Sequence, residues 1–143
     1  MVGQTLGHFR ITARLGSGGM GVVYRAHDEK LDRTVAIKVI GRETGITPVD
    51  RARIVEEGRA SSALSHPNIC TVYEIGEIDG QAYIAMEYVE GRPLSELIPV
   101  NGLPPEVVVR YGAEIADALE HAHARGLVHR DLKTPNVVIS ADG

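Results

Sequence analysis

The sequence holds very little cysteine, no long apolar run and no excess of basic residues. Its 143 residues include one cysteine, Cys70, so no intramolecular disulfide can form and a reducing compartment is expected. The N-terminus lacks a signal-peptide pattern, and no segment approaches the ~20 apolar residues that a membrane-spanning helix needs. The formal net charge of −4 gives no bulk attraction to nucleic acid or to an anionic membrane. We therefore expect a cytoplasmic chain without a membrane segment and without nucleic acid as a partner.

The residue pattern of the first part of the chain predicts a small antiparallel sheet and one helix. Five segments combine period-two alternation or β-branched residues with short connections, and each is predicted to be a strand: 9–15, 22–26, 34–40, 71–77 and 81–86. A helix is expected to begin at Thr47 and Pro48, with Thr47 as the N-cap, and to end at His66. Asp79 and Gly80, between the last two strands, form a favoured hairpin dipeptide.

The remaining part of the chain is expected to be helical. The segment from Gly91 to Pro93 is predicted to be a hinge that divides the chain into regions 1–90 and 91–143. A Pro-Pro pair at 104–105 begins a long predicted helix, and Gly126 occupies its C-terminal cap position. The expected fold class is α+β, with a five-stranded antiparallel lobe followed by the first helices of a helical lobe.

A glycine cluster lies between the first two predicted strands and matches the pattern GxGxxG. Its members are Gly16, Ser17, Gly18, Gly19, Met20 and Gly21. Glycine lets a backbone approach phosphate oxygens closely and present N–H groups to them. The pattern alone is weak evidence, because a glycine-rich hairpin without a ligand fits it equally well. A dinucleotide site is disfavoured because no helix follows the cluster, and a Walker A loop is excluded because no Gly-Lys-Ser/Thr closes it.

The third predicted strand carries Lys38 at the end of the sequence Val-Ala-Ile-Lys. Period-two alternation places Ala36 and Lys38 on one face, where a small alanine leaves room for a flat ring and the lysine supplies a cation further along. A lysine that merely extends from a half-exposed strand into water is the alternative. If Lys38 is paired, its partner is expected to be Glu57 on the helix, because the neighbouring Glu56 would face elsewhere.

The third motif is the segment 129–136, which reads His-Arg-Asp-Leu-Lys-Thr-Pro-Asn. An ordinary polar loop after a helix is the alternative, but such a combination of specified residues rarely arises by chance. Asp131 can accept the proton of an incoming hydroxyl, and Lys133 can neutralise charge on a moving phosphoryl group. Asn136 can hold a metal ion through its amide oxygen.

Together, the three motifs resemble those of eukaryotic-like Ser/Thr protein kinases, the type common in bacteria. The resemblance extends from Phe9 to the strand that follows the segment 129–136. It implies an enzyme that transfers the γ-phosphate of ATP to Ser or Thr hydroxyls of a protein substrate, with Mg²⁺ as the metal cofactor. It also implies that residues 1–90 form the kinase N-lobe with its regulatory helix, and that residues 91–143 form part of the C-lobe.

The resemblance also assigns roles to individual residues. The catalytic group would be Lys38, Glu57, Asp131 and Lys133, and the metal ligand would be Asn136. The nucleotide-binding group would combine Lys38 and the glycine cluster with Leu15, Val23, Ala36, Met86, Glu87, Val89 and Val138. Leu15 and Val23 would lie above the adenine and Val138 below it. Met86 looks like the gatekeeper, and the backbones of Glu87 and Val89 would meet the adenine edge at the hinge.

Two departures from the family pattern affect the expected function. Pro93 stands where many relatives present an acidic group to the ribose, which puts that contact in doubt. The chain also ends before the family's Asp-Phe-Gly metal motif and activation loop. We therefore expect the N-terminal part of a kinase, inactive by itself, with any membrane anchor lying further along a longer protein.

Two other functions are left open by the sequence. A lobe that binds ATP and partner proteins without catalysis would not need all four of the catalytic and metal-binding groups, so their presence disfavours it. A small-molecule phosphotransferase of related fold shares the spacing between Asp131 and Asn136, but Lys133 and the complete glycine cluster favour a protein kinase. The substrate protein and the oligomeric state leave no signal in the sequence.

Overall fold

A computed structural model of the chain describes residues 1–18, 21–40, 47–128, 132 and 134–141. The side chains of residues 17, 18, 50, 51, 54, 57 and 135 lie outside this description. The chain forms two compact units, which are described separately. Unit 1 comprises Met1–Ser65 and Cys70–Tyr88, and unit 2 comprises His66–Ile69 and Val89–Gly143.

In the described residues, unit 1 is built on a six-stranded antiparallel sheet with one α-helix. Its elements are β1 (Thr5–Leu6), β2 (Phe9–Gly18), β3 (Gly21–Asp28), β4 (Arg33–Ile40), α1 (Pro48–Ser61), β5 (Val72–Ile78) and β6 (Gln81–Glu87). The strand order is β1-β2-β3-β4-β6-β5, and every neighbouring pair is antiparallel. The α+β class and the antiparallel sheet predicted from the sequence are therefore confirmed.

The predicted number of five strands is wrong by one, because a sixth strand, β1, pairs with β2. With two residues, β1 is too short for period-two alternation to reveal. Strands β2 and β3 also run into the glycine cluster, where Gly16 pairs with Val23 and Gly18 pairs with Gly21. The described part of the cluster is therefore the end of a β-hairpin rather than a separate loop.

Helix α1 begins at Pro48 as predicted, but it ends at Ser61, before the predicted end at His66. After the helix the hydrogen bonding tightens to the i→i+3 pattern, and the Leu64 N–H donates to the Ser61 carbonyl oxygen at 3.0 Å. Leu64 is nevertheless buried. The apolar period thus continues past the last α-helical turn, which is why the sequence predicted a longer helix.

One face of the unit 1 sheet is buried in a continuous apolar core. The core comprises Leu6, Phe9, Ile11, Ala26, Val35, Ile37, Val39, Tyr83 and Ala85. Alternate residues of β4 contribute to it, and Ile37 has no exposed surface. Burying one such aliphatic side chain contributes about 1.5–3 kcal/mol, so this core determines which residues of β4 point to the opposite face.

The opposite face of the sheet, here called the α1 face, is the one against which α1 packs. Val55 of α1 packs against a buried cluster that includes Ile84. A Cβ added to Gly58 would lie 3.1 Å from Ile84 Cδ1 and 3.2 Å from Ile75 Cδ1. This close approach of helix and sheet explains a glycine that otherwise costs a helix interior about 1 kcal/mol relative to alanine.

Two of the hairpin turns in unit 1 follow from the residues that form them. Asp79 and Gly80 have φ angles of 53° and 79°, the positive values that a two-residue hairpin turn requires, so the predicted turn is confirmed. In the connection from β3 to β4, the buried carboxylate of Asp28 accepts hydrogen bonds from the N–H groups of Lys30 (2.9 Å) and Leu31 (3.1 Å). The second turn is thus held by a side chain that replaces missing backbone partners.

The described part of unit 2 contains one long helix, one short helix and a small two-stranded sheet. Its elements are β7 (Gly91–Pro93), α2 (Leu94–Leu97), α3 (Pro105–Ala124), a 3₁₀ turn (Thr134–Asn136) and β8 (Val138–Ser140). The segment predicted as a hinge forms β7, which pairs antiparallel with β8. Among the helices in the described ranges, none is long and apolar enough to cross a membrane.

The C-terminal end of α3 is closed by backbone hydrogen bonds, and one side of the helix contacts His66. Gly126 has a φ angle of 78°, and its N–H donates to the His123 carbonyl oxygen at 3.0 Å. The Leu127 N–H donates to the Ala122 carbonyl oxygen at 3.0 Å, which completes a Schellman cap and confirms the predicted role of Gly126. On the side of α3, Asp117 Oδ2 lies 3.0 Å from Nε2 of His66, and both residues belong to unit 2.

We expect Gly76→Ala to lower the free energy of unfolding by about 1–3 kcal/mol because of overpacking. A Cβ at position 76 would lie 2.6 Å from Tyr83 Oη and 2.7 Å from Tyr83 Cζ, so the phenol ring must move. That movement would disturb the 2.7 Å hydrogen bond that Tyr83 donates to Glu74. Urea unfolding followed by circular dichroism measures the change.

Gly112→Ala is the matched control for this experiment. Gly112 lies inside α3, and no atom lies within 4 Å of an added Cβ. Alanine there should raise the free energy of unfolding by up to about 1 kcal/mol through helix propensity. A Gly76→Ala variant as stable as the unmodified chain would contradict the packing described for Tyr83.

Candidate active site

Three adjacent strands of unit 1 place four of the predicted nucleotide-binding residues on one face. Val23 pairs with Lys38 in the β3–β4 ladder, and Ala36 pairs with Met86 in the β4–β6 ladder. Directly paired residues share a face, and so do residues two apart along a strand. Lys38 also pairs with Ile84, which packs beneath α1. All four residues therefore lie on the α1 face.

The described part of the glycine cluster extends the β2–β3 hairpin at the end of this face. A Cβ added to Gly21 would collide with the backbone carbonyl group of Val39 in β4, so the sheet itself requires glycine at that position. A Cβ added to Gly16 would meet no atom within 4 Å, so packing does not explain glycine there. Gly19 and Met20 lie outside the described residues, and Ser17 and Gly18 are described by their backbones alone.

Leu15 lies in a bulge of β2, where the register shifts between Arg14 and Gly16. A bulge re-aims the side chain that it carries. The Leu15 side chain is 47% exposed. Leu15 directly precedes Gly16, which pairs with Val23. The exposed leucine therefore supplies apolar surface at this end of the hairpin.

Of the predicted pair of Lys38 and Glu57, the structure describes the side chain of Lys38 alone. Lys38 lies in the interior of β4 and is half-buried. Glu57 lies in α1 next to Gly58, where an added Cβ would lie 3.1 Å from Ile84 Cδ1. The side chain of Glu57 falls outside the description, so its pairing with Lys38 stays a prediction.

The end of β6 carries Met86 and Glu87, which the sequence places at the gatekeeper and hinge positions. The Glu87 N–H donates to the Thr71 carbonyl oxygen at 2.8 Å. The Thr71 N–H in turn donates to the Glu87 carboxylate oxygen Oε1 at 3.1 Å. The sequence assigned a role to the backbone of Glu87 and missed this role of its side chain. Val89, the other predicted hinge contact, is half-buried in unit 2.

The pKa of the Cys70 thiol depends in part on the negative charge of Glu87. The residue as a whole is exposed, yet burial of its thiol raises the pKa of Cys70, and the negative charge of Glu87 raises it further. Both causes disfavour the thiolate. Cys70 is thus a poor nucleophile near neutral pH, and no reactive role for it follows from its surroundings.

In unit 2 the structure describes the residues on either side of the segment 129–136 and, within the segment, Leu132 and Thr134–Asn136. Residues 129–131 and 133, which include the predicted catalytic Asp131 and Lys133, lie outside the described residues. Before the segment, the Schellman cap of α3 fixes the backbone as far as Leu127. After it, the Leu94 N–H donates to the Val137 carbonyl oxygen at 2.7 Å. These hydrogen bonds fix the backbone at Leu127 and at Val137, on either side of the segment 129–136.

Two further predicted residues meet in the small sheet of unit 2. Val138 of β8 pairs with Pro93 of β7, and its side chain is 41% exposed. Pro93 is the residue that replaces the expected acidic contact to the ribose. The predicted adenine floor and the position of that missing contact are thus direct neighbours across two strands.

The residue expected to bind metal is Asn136, which is exposed at the end of the 3₁₀ turn. Across the part of the chain that the structure describes, no cluster of three or more His, Cys, Asp or Glu side chains could hold a metal ion. An amide oxygen is nevertheless a ligand type that Mg²⁺ accepts, and Mg²⁺ commonly takes most of its other ligands from phosphate oxygens and water. Asn136 therefore fits as one ligand of a shared site.

Comparisons with known proteins identify the family of this chain. A family model described as protein kinase domain matches residues 9–143. The serine/threonine-protein kinase PrkC of Bacillus subtilis is 40% identical over 145 residues, which cover 100% of this chain and 22% of PrkC. The serine/threonine-protein kinase PknE of Mycobacterium tuberculosis is 38% identical over 141 residues, which cover 98% of this chain and 25% of PknE.

A solved structure shows the same fold. The crystal structure of the Mycobacterium tuberculosis PknI kinase domain matches with a TM-score of 0.84 and 33% sequence identity. The match covers 99% of this chain and 58% of the PknI chain. The chain therefore spans about a quarter or less of the curated relatives named above, and somewhat more than half of a solved kinase domain. From the family match over residues 9–143 and from these relatives, we conclude that the chain belongs to the protein kinase domain family, in its bacterial Ser/Thr branch.

Proposed function

We propose that this chain supplies the ATP-binding sheet and the catalytic loop of a protein kinase that transfers the γ-phosphate of ATP to Ser or Thr hydroxyls of a protein substrate. The observation that carries the proposal is the register of β3, β4 and β6, which gathers Val23, Ala36, Lys38 and Met86 on the α1 face. In this proposal residues 1–90 act as the N-lobe, and residues 91–143 act as the hinge and the first part of the C-lobe.

The adenine would lie on the apolar part of the α1 face. Val23 and the exposed Leu15 offer branched aliphatic side chains to one side of the adenine ring. The small side chain of Ala36, on the same face as Val23, leaves room for the ring to approach the sheet. Val138, which belongs to unit 2, is proposed as a further apolar contact of the adenine. A pocket of this kind binds mainly by burying apolar surface, while a few backbone groups set the orientation.

The phosphates would lie further along the same face, towards the glycine cluster. Lys38 carries a cation two residues beyond Ala36, so an adenine next to Ala36 directs its phosphates towards the ammonium group. Glu57 would hold that ammonium group by an ion pair from α1. Gly16 leaves room for phosphate oxygens to approach the backbone N–H groups of the hairpin.

The transfer step would use the segment 129–136. Asp131 would accept the proton of the substrate hydroxyl as its oxygen bonds to the γ-phosphorus, while the bond from that phosphorus to the β–γ bridging oxygen breaks and ADP leaves. Lys133 would neutralise charge on the moving phosphoryl group. Mg²⁺, with Asn136 among its ligands, supplies further neutralisation of the phosphate oxygens when it is bound.

ATP should protect Lys38 from acylation by an amine-reactive reagent. At an ATP concentration about ten times the dissociation constant, only about one-eleventh of the sites are free, so labelling of Lys38 should slow roughly tenfold. Mass spectrometry of the digested chain measures the labelling at each position. Lys30, exposed in the β3–β4 connection, is the internal control and should label at the same rate with and without ATP. Equal labelling of Lys38 in both conditions would contradict an ATP site on the α1 face.

Phosphoryl transfer itself should depend on Asp131. The test protein joins this chain to the part of the PrkC kinase domain that begins after the position matching Gly143. It is assayed with ATP, Mg²⁺ and a basic protein substrate. Asp131→Asn should slow transfer by about 10²–10⁴-fold, the range typical for losing a general base. Asp142→Asn, which removes the same charge beyond β8, should leave transfer unchanged. Protection of Lys38 by ATP without any transfer would instead favour an ATP-binding scaffold.

A further inference from the structure

We propose that the side chain of Glu87 is a positioning residue that keeps its own backbone carbonyl oxygen available to the exocyclic amine of adenine. The inference rests on the proposed function, because it assumes that the nucleotide meets the end of β6. It goes beyond that function by assigning base selectivity to a carboxylate that contacts the nucleotide only through the backbone that it holds.

The hydrogen bonds between Thr71 and Glu87 carry the inference. Val72 pairs with Met86 in the β5–β6 ladder, so Thr71 lies opposite Glu87 just before β5 begins. In a continued antiparallel ladder a hydrogen-bonded pair exchanges two backbone hydrogen bonds. Here the first is present, since the Glu87 N–H donates to the Thr71 carbonyl oxygen at 2.8 Å. The second is replaced, because the Thr71 N–H donates to Glu87 Oε1 at 3.1 Å.

The replacement changes which acceptor of Glu87 is in use. A carboxylate accepts an N–H more strongly than a neutral carbonyl group does, so the Thr71 N–H is satisfied by the side chain. The backbone carbonyl oxygen of Glu87 is thereby relieved of the partner that the ladder would have given it. A ligand that offers an N–H at the strand end then meets an acceptor without competition from Thr71.

The surrounding strands keep this acceptor in a defined place. Glu87 pairs with Val35, which has no exposed surface, so the end of β6 is held from the side of β4. Thr71 holds it from the other side through two hydrogen bonds. The β5 bulge between Val72 and Glu74 shifts the register directly after this link. The link therefore holds the end of β6 just beyond the residues that pair with β5.

The chemistry predicts selectivity for a base with an amine at the position that adenine uses. Adenine carries an exocyclic N–H₂ donor there, whereas hypoxanthine carries a carbonyl acceptor, which would face the Glu87 carbonyl oxygen without a hydrogen bond. Sites built to hydrogen-bond a donor reject an analogue that lacks it. ATP and inosine triphosphate are thus a matched pair of probes, since they share the ribose and the triphosphate.

Removal of the carboxylate should reduce ATP affinity and leave inosine triphosphate affinity nearly unchanged. In Glu87→Ala the Thr71 N–H turns to the Glu87 carbonyl oxygen and competes with adenine, so ATP should bind roughly five- to tenfold more weakly. Glu87→Gln retains an amide oxygen that can accept the Thr71 N–H and should stay within about twofold of the unmodified chain. Glu90→Ala, which removes an exposed carboxylate three residues further on, is the control and should change neither affinity. Displacement of a fluorescent ATP analogue from the 143-residue chain measures all of these affinities.

A second measurement checks the variants without nucleotide. Glu87→Gln removes the charge that helps to raise the pKa of Cys70, so alkylation of the thiol should shift to lower pH, while burial keeps the pKa above its ordinary value. Glu87→Ala should also speed hydrogen exchange of the Thr71 N–H. Neither readout depends on ATP binding, and both remain available if Glu87→Ala loosens the sheet.

The outcomes separate the inference from the function on which it rests. Failure of the unmodified chain to bind ATP would overturn the proposed function and the inference with it. ATP binding that Glu87→Ala leaves unchanged, or weakens to the same degree as binding of inosine triphosphate, would overturn the inference alone. An alkylation profile of Cys70 that Glu87→Gln does not shift would show that the carboxylate lies elsewhere, and would also overturn it.

Discussion

The arrangement of the site depends on the register of β3, β4 and β6. Val35, Ile37 and Val39 are buried on one side of β4, and this burial forces Ala36 and Lys38 to the α1 face. A slip of one residue would exchange the two sets and place the lysine in the apolar core. Burying an ammonium group there without a partner costs far more than any local strand preference can supply. The core of the sheet therefore decides where the cation of the site lies.

Glycine is required for packing at some positions of this sheet and helix and is not explained by packing at another. Gly21 is needed because a side chain would collide with the Val39 carbonyl group, and Gly58 is needed because α1 approaches Ile84 and Ile75 closely. Both glycines serve the packing that fixes the register. An added Cβ at Gly16 would meet open space, so packing explains Gly21 but not Gly16, the two glycines of the motif for which the structure describes the surroundings.

Much of this architecture could be predicted from the sequence, because local signals agreed with the tertiary structure. The positive φ angles of Asp79 and Gly80 and the Schellman cap at Gly126 follow from residue type. The two-residue strand β1 was missed because its partner lies in β2, and a segment so short carries no period. The carboxylate of Glu87 was missed for a similar reason, since its partner Thr71 is sixteen residues away and no spacing pattern marks it. Contacts that join distant residues through a single atom leave no trace in local periodicity.

The central claim is that ATP lies along the α1 face with its phosphates at Lys38. A crystal structure of the chain with a non-hydrolysable ATP analogue tests it directly. We expect the Lys38 Nζ atom at hydrogen-bond distance, about 2.7–3.2 Å, from a phosphate oxygen, and the adenine packed against the side chains of Ala36 and Val23. A nucleotide bound on the opposite face of the sheet, or phosphates beyond the reach of the Lys38 ammonium group, would contradict the account.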